Sequence, residues 1–168
     1  LIQIYLLIFY NQFAETPYTE QSAHNPLNPY ALQKLYAEQY IQMYAKLYGV
    51  KYAILRYSNL FGERANTEGP YPAVTAIFLK RKVEGKPLQI TGSGKNRRDF
   101  IYAGDVAIAN VIAMDWNGVY NIGAGHSYSV NDIADFIGGE REYVAAREGE
   151  MRDNTLDISM ARQAGWKP

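Results

Sequence analysis

Apolar and polar positions follow one another along the chain in blocks that predict an α/β fold. Residues 1–10 (LIQIYLLIFY) and 51–57 (KYAILRY) are short apolar runs rich in Ile, Leu and Tyr. Runs of this kind are typical of strands that are buried on both faces of a parallel sheet. Residues 118–122 (GVYNI) predict a third strand, and residues 88–90 predict a shorter one.

The longest predicted helix lies between the first two apolar runs and covers residues 30–48. Pro29 stands in its first turn and Gly49 at its end, which are positions that these two residue types favour. Its apolar positions, from Leu32 to Leu47, form a broad arc. An arc of this width predicts a helix that is buried on more than one side.

Shorter patterns predict the remaining helices. Asp105 is expected to be the N-cap of a helix that runs to about residue 114. Ser129 and Asp132 resemble a capping box at the start of a helix through residue 137. Two further helices are predicted over residues 74–83 and 158–164, and the basic stretch 91–100 (TGSGKNRRDF) is predicted to be a loop. Strands that alternate with helices in this way favour parallel pairing, with ligands bound at the carboxyl ends of the strands.

Composition narrows the possible functions. The 17 Lys and Arg residues balance 17 Asp and Glu residues, which does not favour a nucleic-acid surface. The chain has no cysteine and only His24 and His126, so disulfides are excluded and no metal site is expected. The absence of cysteine also fits a reducing compartment, and we expect a cytoplasmic protein. The opening apolar run is shorter than the roughly 20 residues of a membrane helix, so no membrane association is expected.

Tyr30 and Lys34 are the first candidates for chemistry. They are four residues apart on the long predicted helix, so their side chains lie on one face. A nearby ammonium favours the phenolate, and we therefore expect Lys34 to lower the pKa of Tyr30. Such a pair can move a proton on or off a substrate hydroxyl during hydride transfer.

Six motifs follow one another between residues 28 and 168. They are NPYALQK (28–34), LRYSNLFG (55–62), TGSG with RDFIY and DVA (91–107), YNIGAG (120–125), REGE (147–150) and GWKP (165–168). In this order they resemble the extended short-chain dehydrogenase/reductase family, in particular its nucleotide-sugar epimerases and dehydratases of the UDP-glucose 4-epimerase type. The resemblance implies an α/β fold with a Rossmann-like parallel sheet, of which this chain holds the C-terminal part, and a small α/β substrate-binding subdomain.

The resemblance also implies a division of the chain and a set of roles for its residues. Residues 1–62 and 100–125 would belong to the NAD-binding domain, and residues 63–99 and 126–168 would bind the nucleotide sugar. Tyr30 is similar to the family's catalytic acid/base, and Lys34 to the residue that tunes this tyrosine and binds the nicotinamide ribose.

The remaining site residues follow from the same motifs. Tyr57 and Ser58 match positions that line the nicotinamide pocket, although a phenylalanine is more usual at position 58. The positions that match contacts to the nucleotide sugar are Asn59, Arg98, Arg147 and Glu150. Other interpretations stay open: Asn59 could complete a turn, and Arg98 with Asp99 could be a surface pair.

Two features of the family are missing from this sequence. It has no glycine-rich loop after a first strand and no Ser/Thr-x-x-Val-Tyr-Gly segment. We therefore expect these 168 residues to be roughly the C-terminal half of an epimerase-like enzyme. The expected function is NAD-dependent epimerisation of a UDP-sugar by a homodimer. The alternatives are a nucleotide-sugar 4,6-dehydratase, whose Thr-Asp-Glu motif is absent, and a non-catalytic nucleotide-sugar-binding fragment.

Overall fold

The computed structural model describes residues 2–6, 10–11, 14–68, 72–146 and 152–168, and for residues 2–6 it describes the backbone alone. The elements, in chain order, are β1 (Ile2–Leu6), α1 (Pro29–Tyr48), β2 (Ala53–Tyr57), β3 (Asn59–Phe61), α2 (Val74–Val83), β4 (Leu88–Thr91), β5 (Arg97–Tyr102), α3 (Ala103–Ile112), a short 3-10 helix (Ala113–Asp115), β6 (Gly118–Ile122), β7 (Ser127–Ser129), α4 (Val130–Ile137), β8 (Arg141–Val144) and α5 (Ser159–Gln163).

The first sheet is parallel and has the strand order β1-β2-β6. Leu6, Tyr57 and Ile122 share one row of the register, so the three strands end at the same edge. All five residues of β2 are buried, as expected for the central strand. The order and direction of these strands confirm the predicted α/β fold with a parallel sheet.

Two smaller sheets complete the structure. In one, β3 pairs in parallel with β5, and β5 pairs antiparallel with β7. In the other, β4 pairs in parallel with β8. Ser58 is the one residue between β2 and β3, so the backbone passes directly from the first sheet into the second.

The core consists mainly of two groups of buried residues. The larger group joins the first sheet to α3 and to the C-terminal segment; its members from that segment are Leu156, Ile158, Ala161 and Trp166. The smaller group lies between α2, α4 and β4 and centres on Phe78, Ile90 and Ile133. The predicted division into two domains stays a prediction.

Helix α1 begins and ends as the sequence predicted. The side chain of Asn28 accepts a hydrogen bond from the Ala31 N–H at 2.8 Å, and Gly49 ends the helix with a left-handed φ of 64°. The predicted burial of its apolar arc is wrong, because its buried residues are Ala31, Glu38 and Ile41. The exposed side chains of the helix include Leu32, Tyr36, Tyr40, Met43, Tyr44, Leu47 and Tyr48.

Two further predictions need correction. The stretch predicted as a basic loop contains β5, which begins at Arg97 because its backbone pairs with β3 and β7. Asp105 is not the N-cap of α3, since Tyr102 occupies that position and Asp105 lies in the first turn. The capping box of Ser129 and Asp132 is confirmed, with both reciprocal hydrogen bonds present.

Two kinds of feature are absent from the described ranges. No helix in them combines the length and apolar character that a membrane span requires. The same residues contain no group of three or more His, Asp or Glu side chains that could hold a metal ion.

Candidate functional site

The N-terminus of α1 lies at the edge where the parallel strands end. Chain direction reverses from β1 to α1 and again to β2, so the helix runs antiparallel to the strands. Glu38 contacts Arg56 near the end of β2, whereas Ile41 packs on Ile54 further back. Tyr30 precedes Glu38 by two turns, which is about 12 Å along the axis. Tyr30 therefore projects towards the carboxyl edge, where parallel sheets bind ligands.

Tyr30 and Lys34 are brought together on this helix. The ammonium of Lys34 lies over the Tyr30 ring, 5.2 Å from its centroid, in a cation–π arrangement. Burial raises the pKa of Tyr30 above its ordinary value of 10.0, so the expected lowering is not present. The physical reason is that the half-buried phenol loses hydration while the ammonium faces the ring. Tyr30 is thus a protonated phenol at neutral pH.

Tyr57 occupies the last position of β2, and its side chain belongs to the larger core group. Its hydroxyl accepts a hydrogen bond from the Asn110 amide at 2.7 Å, and burial raises its pKa to about 12. This hydroxyl therefore cannot titrate at neutral pH, and its ring is the part available to line a pocket.

Ser58 is buried at the crossing between the two sheets. Its N–H donates to the carbonyl of Ile122 at 3.0 Å, which ties it to β6. Its hydroxyl lies beside the Asp99 carboxylate and helps to stabilise that charge. Even so, the hydroxyl forms no hydrogen bond of normal geometry within the described structure.

Asp99 is the residue around which this part of the site is built. Its carboxylate accepts hydrogen bonds from the N–H groups of Ala124, Gly125 and Leu156, at 2.7, 3.1 and 3.3 Å. Burial raises the pKa of Asp99, and these hydrogen bonds oppose the rise. A methyl group on Gly123 would lie 2.8 Å from the same carboxylate, so the glycine is needed for this close approach. The surface-pair interpretation is therefore wrong for Asp99, which is fully buried.

Asn59 and Asn154 extend this network towards the predicted substrate contacts. The Asn154 amide donates to Asn59 Oδ1 at 2.6 Å, and Asn154 Oδ1 accepts from the Asp99 N–H at 2.8 Å. Asn59 thus bridges β3 to the segment after residue 151, rather than completing a turn within its own loop. The sequence reasoning missed Asn154, which stands in no recognised motif.

Arg98 lies on β5 next to Asp99 and is half-buried. Its Nη1 donates to the carbonyl of Arg97 at 2.8 Å. In the register of the second sheet, Asn59 pairs with Phe100, so Asn59 and Arg98 belong to neighbouring strands. Arg147 and Glu150, the other predicted substrate contacts, lie outside the described residues.

A buried polar cluster around Arg56 was not singled out from the sequence. The Arg56 guanidinium donates to both carboxylate oxygens of Glu38, with Nε 3.0 Å from Oε2. It also donates to the Tyr10 hydroxyl at 2.6 Å. The signal available in the sequence was a charged residue inside an otherwise apolar strand, with a glutamate on the neighbouring helix.

Two grooves, of about 650 and 440 Å³, flank Phe61 and Tyr102. The larger is bounded by residues 61–67 and by α2, and the smaller by β5 and α4. Among the predicted site residues that the structure describes, none lines either groove. Tyr30 and Lys34 on α1 therefore do not form a wall of these cavities.

Comparison with known proteins defines the class. A parallel sheet with a Tyr–Lys pair at its carboxyl edge agrees with a family match over residues 9–123, to the NAD dependent epimerase/dehydratase family. Because this match covers more than half of the chain, the chain belongs to that family.

Particular relatives narrow the similarity. The chain is 45% identical over 159 residues to a Methanocaldococcus jannaschii protein provisionally named UDP-glucose 4-epimerase, covering 90% of this chain and 52% of that protein. It is 32% identical over 162 residues to the UDP-glucose 4-epimerase of Mycolicibacterium smegmatis, covering 90% of this chain and 51% of the relative. The chain thus spans about half the length of these curated relatives.

Solved structures show the same similarity in three dimensions. The UDP-N-acetylglucosamine 4-epimerase of Methanobrevibacter ruminantium, in complex with UDP-N-acetylmuramic acid, superposes with a TM-score of 0.94 at 32% identity, over 99% of this chain and 56% of that one. The Thermotoga maritima UDP-glucose 4-epimerase with UDP-glucose gives a TM-score of 0.91 at 33% identity, over 99% of this chain and 58% of that one. These Rossmann-fold neighbours confirm the predicted fold class.

Proposed function

We propose that this chain is the part of an NAD-dependent UDP-sugar 4-epimerase that carries the catalytic tyrosine and most of the substrate contacts. The observation that carries the proposal is the pairing of Tyr30 and Lys34 on one helix face at the carboxyl edge of a parallel sheet. The UDP-sugar 4-epimerases among its relatives and structural neighbours support this choice of substrate class.

In this proposal Tyr30 takes the proton from the sugar 4-hydroxyl and later returns it. Lys34 and Tyr57 would hold the nicotinamide end of NAD, which would supply the reversible hydride acceptor that inversion at C4 requires. The raised pKa of Tyr30 keeps its oxygen protonated at rest. Before it can act as a base, Tyr30 must release its own proton to solvent, and the Lys34 ammonium would favour the resulting phenolate once the four-carbon lysine stem turns from the ring face towards the oxygen.

The described residues fit one end of the dinucleotide. Lys34 can donate hydrogen bonds to ribose hydroxyls at the sheet edge, and the unsatisfied hydroxyl of Ser58 is a second polar group at the end of β2. Tyr57 would supply an apolar ring surface. The sequence contains no glycine-rich loop for the pyrophosphate, so this chain accounts for the nicotinamide end only.

The nucleotide sugar would be held by groups on the second sheet and the segment beyond it. Asn59 supplies a polar side chain on β3, and Arg98 supplies a guanidinium suited to a diphosphate. Arg147 and Glu150 remain predicted contacts to the diphosphate and ribose. The division into an NAD-binding part (1–62 and 100–125) and a sugar-nucleotide part is proposed on the same basis.

We further propose that the protein is a cytoplasmic homodimer that associates through α1. The support for the dimer is the exposed apolar surface of this helix, where Tyr36 and Tyr40 are 60% and 59% exposed. Large contiguous patches of exposed apolar side chains are typical of surfaces that bind another molecule.

Calorimetric titration of the purified chain with NAD and with UDP-glucose, in separate experiments, tests the proposal. We expect UDP-glucose to bind, and Arg98→Ala to weaken this binding about tenfold or more because a charge-assisted contact is lost. Arg64→Ala, in the loop after β3, is the matched control and should leave affinity unchanged. Binding of neither ligand would contradict the proposal, whereas sugar-nucleotide binding alone would favour the non-catalytic fragment.

The role of Tyr30 is tested in the complete enzyme. Tyr30→Phe removes the proton-transferring oxygen, so we expect kcat to fall by roughly 10²- to 10⁴-fold. UDP-glucose affinity should change little, because the ring is retained. Tyr36→Phe, one to two turns further along α1, should leave kcat unchanged. Undiminished turnover of Tyr30→Phe would exclude this residue as the acid/base.

A further inference from the structure

Each nitrogen of the Arg56 guanidinium contacts a polar atom of a neighbouring residue. Nε and Nη2 reach the two carboxylate oxygens of Glu38. Nη1 donates to the Tyr10 hydroxyl at 2.6 Å and to the carbonyl of Glu20 at 2.8 Å. Nη2 also lies 3.3 Å from Nε2 of His24. The planar fork of an arginine makes such a set of contacts strongly directional.

This ion pair is removed from water. The side chains of Arg56 and Glu38 are only 2% and 3% exposed. A buried pair contributes little net stability, because desolvation of both charges offsets their attraction. Such a pair can instead select one packing arrangement over others, as buried polar groups do in some helical assemblies.

Helix α1 has few other anchors on the sheet. Its remaining buried residues are Ala31, which has only a methyl side chain, and Ile41. Ile41 packs on Ile54 in the half of the helix that lies away from the carboxyl edge. Apolar burial of this size resists rotation of the N-terminal half only weakly, so the Glu38 contact is the directional one.

The catalytic pair stands on the same row of the helix. Tyr30, Lys34 and Glu38 are spaced by four residues, so each lies about one turn above the next. A rotation or slide of α1 at Glu38 would therefore displace the Tyr30 oxygen and the Lys34 ammonium by a similar amount.

The cluster also holds the segment that leads into α1. The Tyr10 hydroxyl donates to Asn121 Oδ1 at 2.9 Å, and the Asn121 N–H donates to Glu20 Oε1 at 2.8 Å. Arg56 on β2 is thus joined to β6 and to the segment that contains Tyr10 and Glu20. The start of α1 is held from two sides.

We propose that Arg56 and Glu38 are positioning residues for catalysis: their buried ion pair sets the rotation and height of α1, and so places Tyr30 and Lys34 at the sheet edge. This inference rests on the proposed function only for its effect on turnover. Its effect on the surroundings of Tyr30 can be measured independently.

The experiment uses the complete protein with ¹³Cζ-labelled tyrosine, and Tyr30→Phe identifies the Tyr30 signal. Arg56→Lys keeps the charge but loses the fork, so it cannot hold Glu38, Tyr10 and the Glu20 carbonyl together. We expect it to shift the pKa of Tyr30 by about half a unit or more. The nuclear Overhauser contact between Lys34 and the Tyr30 ring should weaken. We also expect kcat to fall about tenfold or more, with KM for the UDP-sugar within about twofold.

Phe78→Leu is the matched control for lost stability alone. Phe78 is buried in the other core group, with α2, α4 and β4, and none of the residues named in that group comes from α1 or β2. This variant should lose stability while keeping the Tyr30 signal and kcat of the unmodified protein. An Arg56→Lys protein with an unchanged Tyr30 signal would overturn the inference.

A paired variant keeps the test decisive if Arg56→Lys does not fold. Glu38→Leu/Arg56→Met removes both charges and restores apolar packing, which is often neutral or stabilising. We expect this protein to fold with a shifted Tyr30 pKa and reduced kcat, and a normal Tyr30 signal would overturn the inference. A shifted signal with undiminished turnover would overturn the role of the ion pair in catalysis, whereas Tyr30→Phe tests the role of Tyr30 separately.

Discussion

At the scale of single residues, the Asp99 carboxylate joins three stretches of chain that are far apart in sequence. The carboxylate projects from β5. It accepts hydrogen bonds from N–H groups of the turn after β6 and from the N–H of Leu156 in the C-terminal segment. Through its own N–H it also holds Asn154, and through Asn154 it reaches Asn59. Asn59 owes its position to this network, so a candidate substrate contact depends on a residue that touches no substrate.

We expect Asp99→Asn to destabilise the protein by about 3 kcal/mol. The amide NH₂ of asparagine would face N–H donors that need an acceptor, and at least one of them would be left buried and unpaired. Urea unfolding measures the change. The control is Asp135→Asn, an exposed carboxylate on α4, for which we expect less than about 0.5 kcal/mol. Equal effects of the two variants would contradict the role of Asp99.

The sequence identified the Arg-Asp-Phe motif but not which of its members was structural. Nothing in the pattern of residues 97–100 separates a buried aspartate from a solvated one, because its acceptor role depends on N–H groups 25 to 57 positions away. The glycines near residue 123 were the one signal in the sequence for a close contact at this point. Only the three-dimensional structure shows that the Asp99 carboxylate fills the space beside Gly123.

His24 gives the stability of the protein a dependence on pH. Burial lowers the pKa of His24, and the charge of Arg56 lowers it further, whereas Glu38 opposes both. The unfolded chain, with a histidine pKa near 6.5, then binds more protons than the folded one. Stability is therefore fully present above about pH 6.5 and is lost as the pH falls towards the folded pKa.

We expect His24→Gln to reduce this loss of stability between about pH 7.5 and 5, measured as urea midpoints. Burial raises the pKa of Glu20, which adds a slope of opposite sign above the ordinary glutamate pKa. That slope is common to both proteins and cancels in their difference. Parallel pH curves for the variant and the unmodified protein would show that His24 does not titrate as described.

At the scale of elements, helices were predictable and several strands were not. Local signals mark helix ends: Asn28 and Gly49 bound α1, and the reciprocal bonds of Ser129 and Asp132 open α4. Strands β5, β7 and β8 are short and polar, and β5 begins with two arginines. Their pairing partners lie 28 or more positions away, so no local period reveals them.

The burial of α1 was mispredicted for a related reason. An apolar arc indicates which face needs covering, but it does not indicate whether the same chain covers it. The motifs placed Tyr30 and Lys34 on a predicted helix, but they placed Arg98 in a predicted loop that is part of β5. The site was not predictable as a network, since Asn154 and Arg56 act through contacts that only the fold creates.

We expect Ser129→Ala to destabilise the protein by about 1 kcal/mol, because the N-terminus of α4 loses a side-chain acceptor. The Ser129 hydroxyl accepts from the Asp132 N–H at 3.1 Å, and this N–H would lose its acceptor in the variant. Denaturant midpoints measure the effect. Ser93→Ala, an exposed serine in the turn after β4, should change stability by less than about 0.5 kcal/mol. If Ser129→Ala leaves the free energy of unfolding unchanged, the capping box does not contribute measurably to stability.

At the scale of the whole molecule, the proposed dimer depends on the exposed face of α1. The rings of Tyr40, Tyr44 and Tyr48 succeed one another with centroids 5.1 Å apart, so the helix presents a continuous aromatic surface. Aromatic side chains at the centre of an interface carry much of its binding energy.

We expect Tyr40→Lys to raise the dimer dissociation constant about tenfold or more, since a charge would be buried without a partner. Sedimentation equilibrium measures this constant. Val83→Lys places the same charge on α2 at a residue that is 88% exposed, and it should leave association unchanged. If Tyr40→Lys does not alter the mass distribution, the dimer does not form through this face.

The single-residue passage from β2 to β3 has a mechanical consequence. Ser58 is 1% exposed, and its N–H donates to the carbonyl of Ile122. The connection between β2 and β3 therefore allows little rotation of one sheet against the other. The two sheets thus form one rigid unit, with no hinge between them at this point. The spacing between the end of β2 and the groups on β3 is consequently fixed when the chain folds, so the proposed sugar-nucleotide site would form without movement of one sheet against the other.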